Sequence, residues 1–230
     1  MHLVLTTHRF PQYNESFLHD HVLAMTHFGE HVTVLAHGAG DHAPRDEGAP
    51  GRLRLTIAPW YDPRPKKVLT LARDLRRAAA CNPSELRAFV RLLGRERGYG
   101  TSMLQTLYAS VPVLTAPLDL LHIAWIKFAI QAPELLEVLD VPIVVSCQGN
   151  DLRVDPLEIE GFAANARHVF DRVDLVHCVS HDLAGMAMDL APTRRRCSST
   201  TGASTRRTSA RATHPTGQRP GGSRSSASGG

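Results

Sequence analysis

Along the first 190 positions the apolar residues recur in two alternating rhythms. HLVLTT (His2–Thr7), HVTVLAH (His31–His37), LRLTIA (Leu53–Ala58), LDLLHIAW (Leu118–Trp125), PIVVSC (Pro142–Cys147) and DLVHCVS (Asp174–Ser180) are short aliphatic runs bounded by turn residues, and each predicts a strand. Between them lie segments of helical period. Over Glu15–Phe28, Leu18, Val22 and Met25 recur at i, i+4 and i+7, and Gly29 ends the pattern. The stretch Lys66–Tyr108 is helical in composition and broken at Asn82-Pro83, where Asn82, Pro83 and Glu85 supply an N-cap, a first-turn proline and a capping-box acid. Further helices are predicted over Phe128–Leu139, from Asp155 to about Asp171, where Asp155, Pro156 and Glu158 repeat the capping pattern, and over Asp182–Leu190. Strands that alternate with helices predict an α/β fold, a Rossmann-like and mostly parallel sheet with helices on both faces. A segment of this length buries one sizeable core, so residues 1–190 read as one domain.

The rhythm stops after Leu190. Residues 191–230 contain no Val, Ile, Leu, Met, Phe, Trp or Tyr and are mostly Ser, Thr, Arg, Ala and Gly, a composition that predicts a disordered tail. This split also relocates the charge. The whole chain carries +4, but every acid lies in 1–190, where acids exceed bases by four, while the tail holds eight Arg and no acid. No run of apolar residues is long enough for a membrane span, and the opening residues lack the basic, apolar and small-residue regions of a signal peptide, so a soluble cytoplasmic protein is expected. The four cysteines show no C-x-x-C spacing, and Cys147 and Cys178 sit in strand-like runs where a thiol packs as a small apolar group. His27 and His31 straddle Gly29 and cannot share a helical face, so no metal site is expected.

In an open parallel sheet, ligands bind outside the carboxyl ends of the strands. Four segments occupy such positions: HRFPQYNES after the first strand, Trp125–Lys127 after the fourth, QGND after the fifth, and Ser180-His181-Asp182 after the sixth. Asn14, Glu15 and Ser16 start a helix whose free N–H groups can attract phosphate, although any such loop needs an N-cap. G-x-G-x-x-G is absent there, which argues against a nicotinamide enzyme. In QGND, Gly149 permits close backbone approach and Asp151 offers a carboxylate beside Gln148; a turn glycine followed by an Asx-type aspartate is the competing reading. His122, inside a strand, reads as a site residue or as a packed core histidine, and Ser180 as a ligand or an N-cap. No Ser-His-Asp arrangement or G-x-S-x-G is legible, and no residue is assigned a catalytic role.

Taken jointly these segments resemble a known family. FPQYNESFLHDHVLAMTHFGEHVTVLA is similar to the opening of the family 4 (group 1) glycosyltransferases, DLLHIAW resembles their Asp-x-x-His strand, VPIVVSCQGNDL their strand-x-Gly-x-Asp segment, and FDRVDLVHCVSHDL their Asp-x-Val-x-x-Val-Ser segment. The resemblance implies the amino-terminal half of a GT-B fold, in an enzyme that transfers a sugar from a nucleotide diphosphosugar to an acceptor hydroxyl with retention. Carried over by position, Asn14, Glu15 and Ser16 would border the donor diphosphate or the acceptor, and Gln148, Gly149 and Asp151 would line the acceptor side, with His122 and Ser180 in the neighbouring motifs. The implied partners are a nucleotide diphosphosugar, bound only together with a carboxyl-terminal domain, and a saccharide or lipid-linked acceptor. No cofactor is implied. Peripheral contact at the inner face of a membrane is part of the family picture, but a front domain with excess acid shows no evident basic amphipathic helix. Two positions depart from the family pattern: Gln148 stands where His or Arg is common, and Ala124 where a second His is frequent.

Past Leu190 no Glu-x7-Glu motif follows, and the basic donor pocket of the family has no counterpart, so these 230 residues alone are not expected to turn over. The tail is rich in the residues that GC-rich DNA encodes when read out of frame. We read it as the product of a frameshift near codon 191 in a full-length glycosyltransferase. Two alternatives stand beside that reading: a basic arm that binds nucleic acid by counterion release, and a non-catalytic subunit that supplies an acceptor-binding domain to a separate donor chain.

Overall fold

In a computed structural model, which describes residues 1–41, 51–57, 64–93, 103–190 and 196–199, the alternation becomes one parallel sheet. The strands are β1 (His2–Phe10), β2 (His31–Ala39), β3 (Leu53–Ile57), β4 (Leu120–Ile123), β5 (Ile143–Cys147), β6 (Leu175–Cys178) and β7 (Arg196–Ser199). They are hydrogen-bonded in the order β3-β2-β1-β4-β5-β6-β7, every neighbouring pair parallel. The first six form the 3-2-1-4-5-6 order of a Rossmann-like sheet, with β1 and β4 at its centre.

The helices are α1 (Ser16–His27), α2 (Arg64–Cys81), α3 (Pro83–Leu92), α4 (Met103–Leu114), α5 (Ile126–Gln131), α6 (Pro133–Val138), α7 (Gly149–Arg153), α8 (Asp155–Glu158), α9 (Phe162–Phe170) and α10 (His181–Leu190). Period-2 alternation in the strands divides the core in two. Leu3, Leu5, Val32, Val34 and Ala36 face Leu18 and Val22 of α1, whereas Val4, Leu121, Ile123, Val145, Cys147, Val176 and Cys178 face the layer built from α2 to α7, α9 and α10. Cys147 and Cys178 thus pack as small apolar groups, both fully buried.

Two predicted helices are divided for backbone reasons, and one predicted capping box does not form. The helix over Phe128–Leu139 begins at Ile126 and is divided between α5 and α6 at Ala132-Pro133, where the proline ring disfavours helical geometry at the residue before it; Ala132 has φ −138° and ψ 56°. The helix from Asp155 to Asp171 is divided between α8 and α9, since Ile159 is extended and Gly161 takes φ 75°, a left-handed conformation that favours glycine. Asn82 and Pro83 do start α3, but the Asn82 amide donates to the Leu114 carbonyl at 2.6 Å and Glu85 accepts from the Ser84 hydroxyl, so no capping box forms there.

The strands also differ in extent. β1 runs three residues past Thr7 and β2 two past His37, whereas β4 and β6 are the cores of longer predicted runs. Ala58 lies outside the described residues, as do 191–195 and 200–230, on which most of the expected disorder falls. Within that tail Arg196–Ser199 pair with β6 despite having no apolar pattern. An edge strand offers a row of unsatisfied N–H and C=O groups, and any extended segment can meet them.

Candidate functional site

Because every strand runs the same way, the loops after β1, β4, β5 and β6 all open on the carboxyl rim of the sheet. The order of strands reverses between β1 and β4, and that switch point is where an open α/β sheet forms its crevice. The loop after β1 turns sharply through a cis Phe10-Pro11 peptide bond into a 3-10 turn over Tyr13–Glu15 and then α1. The end of β2 passes against this loop so closely that a Cβ on Gly40 would lie 1.6 Å from the Pro11 carbonyl oxygen; only glycine fits.

Asn14 and Ser16 are exposed on the rim, and neither side chain caps α1. Glu15 is half-buried. Burial, with the Asp41 carboxylate adding repulsion, raises its pKa, and among the described residues its Oε2 has no hydrogen-bond partner. Such an acceptor-rich group, held away from water, is suited to receive a hydroxyl from a ligand.

The QGND segment resolves into two roles. Gln148 and Gly149 are half-buried at the start of α7, and a Cβ on Gly149 would meet open space, so the backbone there is approachable. Asp151 is turned inward and only 1% exposed. Its carboxylate accepts the Gln148 N–H at 2.9 Å in a capping box that closes the first turn of α7. Burial pushes its pKa up to about 6, against the hydrogen bond from Gln148 and the nearby Lys127, both of which favour the anion. Asp151 thus shapes the loop as a capping-box acid and not through an Asx turn, and the more accessible groups of the segment are Gln148 and Gly149.

Lys127, in the first turn of α5, reaches Asp155 Oδ2 at 2.8 Å and ties the loop after β4 to the loop after β5. Arg153 and Asp182 pair across α7 and α10. Ser180 Oγ accepts the Leu183 N–H at 3.2 Å, which makes it the N-cap of α10.

His122 is a core residue. Its Nε2 lies 2.8 Å from Ser146 Oγ, which in turn lies 3.0 Å from His177 Nδ1, and His21 of α1 meets the His122 ring edge-on with centroids 5.3 Å apart. One hydroxyl proton serves two imidazoles, so Ser146 donates to one ring and accepts from the other. Burial, then the neighbouring His21 and His177, lowers the His122 pKa to about 3, and burial likewise lowers His21 and His177. All three rings are neutral at pH 7. They are fixed hydrogen-bonding and packing groups.

A second group at the switch point is one that the sequence alone does not single out. His8 and His37 stand opposite each other between the paired residues Thr7–Ala36 and Arg9–Gly38, and Phe128 of α5 closes over both. The His37 and Phe128 rings meet edge-on at 4.8 Å, and His8 lies 6.2 Å from the same ring. Burial and the His8 ring lower His37 to about 4; partial burial, then Arg9, lowers His8. Parity along β1 and β2 is the available signal, since both residues fall on the strand face opposite α1. What parity does not carry is that α5 starts early enough to bring Phe128 over them.

At the opposite end of the sheet a cleft of about 320 Å³ opens between the end of α2 and the amino ends of β4 and β5, lined by Cys81, Asn82, Glu85, Leu118, Asp140 and Val141. Among the described residues no three His, Cys, Asp or Glu side chains are arranged to hold a metal ion, and no helix is long and apolar enough to cross a membrane. In comparison with known proteins, the chain matches no family model and no curated protein.

Proposed function

We propose that residues 1–190 are the acceptor-side half of a retaining glycosyltransferase of the family 4 type, holding a saccharide over the carboxyl rim at the β1–β4 switch point. The observation that carries this reading is positional. The segments that resemble the family, around Asn14–Ser16 and Gln148–Gly149, lie on one rim of a parallel 3-2-1-4-5-6 sheet, beside the reversal of strand order. Their chemistry suits hydroxyl recognition. Glu15 accepts, the Gln148 amide both donates and accepts, and Phe128 with His8 presents ring surface and a neutral imidazole.

In such a transfer the bond from the sugar's anomeric carbon to the diphosphate oxygen breaks and a bond to the acceptor oxygen forms on the same face. The departing diphosphate needs cationic stabilisation. On this rim Lys127 is engaged with Asp155, so the role of these residues is to orient an acceptor, and the 230 residues by themselves are not expected to release nucleotide diphosphate.

The test is an amide chemical-shift titration of the 230-residue chain with methyl hexopyranosides. The expected result is movement of the Asn14–Ser16 and Gln148–Gly149 signals, with affinity reduced about two- to tenfold in Gln148→Ala, the worth of one neutral hydrogen bond. Shifts centred on Cys81, Asn82 and Leu118 at the opposite end, or no shifts at all, would overturn the reading.

A further inference from the structure

We propose that the cleft at the amino ends of β4 and β5 binds a primary organic ammonium ion that carries a small apolar group. At about 320 Å³ it stands at the small end of ligand pockets, which span about 300–1,000 Å³. It lies at the opposite end of the sheet from the switch-point rim, so this site does not rest on the saccharide reading.

The lining is of two kinds. Leu114 at the end of α4, Leu118 in the connection to β4, and Leu139 and Val141 between α6 and β5 supply apolar surface. The polar part comes from Asn82 and Glu85 at the start of α3 and from Asp140 between α6 and β5. Among the described residues that line the cleft there is no Lys, Arg or His. Two carboxylates beside an apolar surface, with no cation among the lining, select a ligand that brings the positive charge itself.

These acceptors are held in place and still open. The Asn82 amide donates to the Leu114 carbonyl at 2.6 Å, and its oxygen makes no hydrogen bond to the first turn of α3. Glu85 accepts the Ser84 hydroxyl at 2.8 Å. Its own N–H, together with that hydroxyl, holds its carboxyl below the usual carboxylate range, so it is an anion at neutral pH. Those two bonds leave about two of the four acceptor positions of the carboxylate open. Asp140 is exposed and, among the described residues, makes no ion pair. Three acceptor groups suit the three N–H donors of a primary ammonium; a quaternary ammonium has none.

The backbone adds charge of the same sign. α2, α4 and α6 end at Cys81, Leu114 and Val138, at this edge of the sheet, and a helix carboxyl end carries partial negative charge. Only α3 begins here, and Glu85 in its first turn answers the positive end.

The experiment is an amide chemical-shift titration of the 230-residue chain at neutral pH with phenethylammonium, and with phenethyl alcohol and phenylacetate as neutral and anionic counterparts of similar shape. The expected result is movement of the Asn82, Glu85, Leu118 and Val141 signals, with the ammonium bound about fivefold more tightly than the alcohol, the worth of two solvent-exposed ion pairs, and phenylacetate without effect. In the double variant Glu85→Gln/Asp140→Asn the preference for the ammonium is expected to vanish, with far-UV circular dichroism and Tm unchanged. Equal binding of ammonium and alcohol by the unaltered chain would make the cleft a mere apolar pocket and overturn the proposal. So would an absence of shifts, shifts centred outside the cleft, or a preference that survives in the double variant. The three probes on the unaltered chain decide the matter even where the double variant fails to fold. Because the probes contain no sugar, a negative result here leaves the rim reading standing, and a negative hexopyranoside titration leaves the ammonium site standing.

Discussion

Between pH 6 and pH 4 the folded domain is expected to lose about 1.4 kcal/mol of stability per pH unit, the effect of one net proton taken up on unfolding. His122 and His37 carry the effect. Burial holds their folded pKa values near 3 and 4, whereas in the unfolded chain each returns to about 6.5. Below that pH the unfolded state gains a proton on each ring that the folded state refuses, so stability present above pH 6.5 is lost as the pH falls toward the folded values.

Asp151 works in the opposite sense. Its folded pKa, raised to about 6 from an ordinary 3.8, lets the folded state keep a proton that the unfolded state releases, which offsets one of the two histidines over this window. Against a total stability of about 5–15 kcal/mol for a domain, two pH units of such a slope are a large fraction. Urea unfolding at several pH values between 4 and 7 measures it. The slope should flatten in His122→Asn, although that variant starts from a lower stability because Ser146 loses the His122 ring as a partner. Stability that is flat or rising toward pH 4 would mean that the two rings titrate as exposed histidines do.

Phe162→Ala is expected to cost about 3–5 kcal/mol. Phe162 opens α9 with no exposed surface and belongs to the larger core cluster with Val145, Cys147, Val169 and Val176. Its position is set by the left-handed Gly161 just before it, so the surroundings have little freedom to collapse into the space the ring leaves. For a domain of this size the change corresponds to a fall in Tm of about 6–20 °C. Phe28→Ala is the matched comparison, because Phe28 is 80% exposed after α1 and should shift stability by less than about 0.5 kcal/mol. Equal effects at the two positions in thermal unfolding would contradict the assignment of Phe162 to the core and Phe28 to the surface.

Strand and helix positions are legible where burial alone decides them. His2–Thr7, His31–His37 and Pro142–Cys147 are nearly continuous apolar runs because a parallel strand is covered on both faces, and each forms a strand of the central sheet. Where backbone geometry decides, the pattern misleads. Pro133 and Gly161 divide two predicted helices; both residues are visible in the sequence, but the apolar period runs through them unchanged.

The same contrast holds at the candidate site. Ser180 and Asp151 each have two readings, and the structure shows a local role for both: an N-cap in α10 and a capping-box acid in α7. The residue types usual for a capping box stand at Asp155 and at Asn82, yet the box forms at Gln148, a less common N-cap. His8, His37 and Phe128 come together only through strand pairing and the placement of α5, so nothing in their spacing along the chain groups them.

The central claim, that this sheet is the acceptor half of a two-lobed glycosyltransferase whose reading frame is lost near codon 191, is tested most directly by determining the coding DNA downstream of codon 180 and translating it in all three frames. One alternative frame is expected to continue with alternating strands and helices and to carry a Glu-x7-Glu motif. If no frame does so, the Arg-rich tail is the protein's own, and the assignment to an interrupted glycosyltransferase is contradicted.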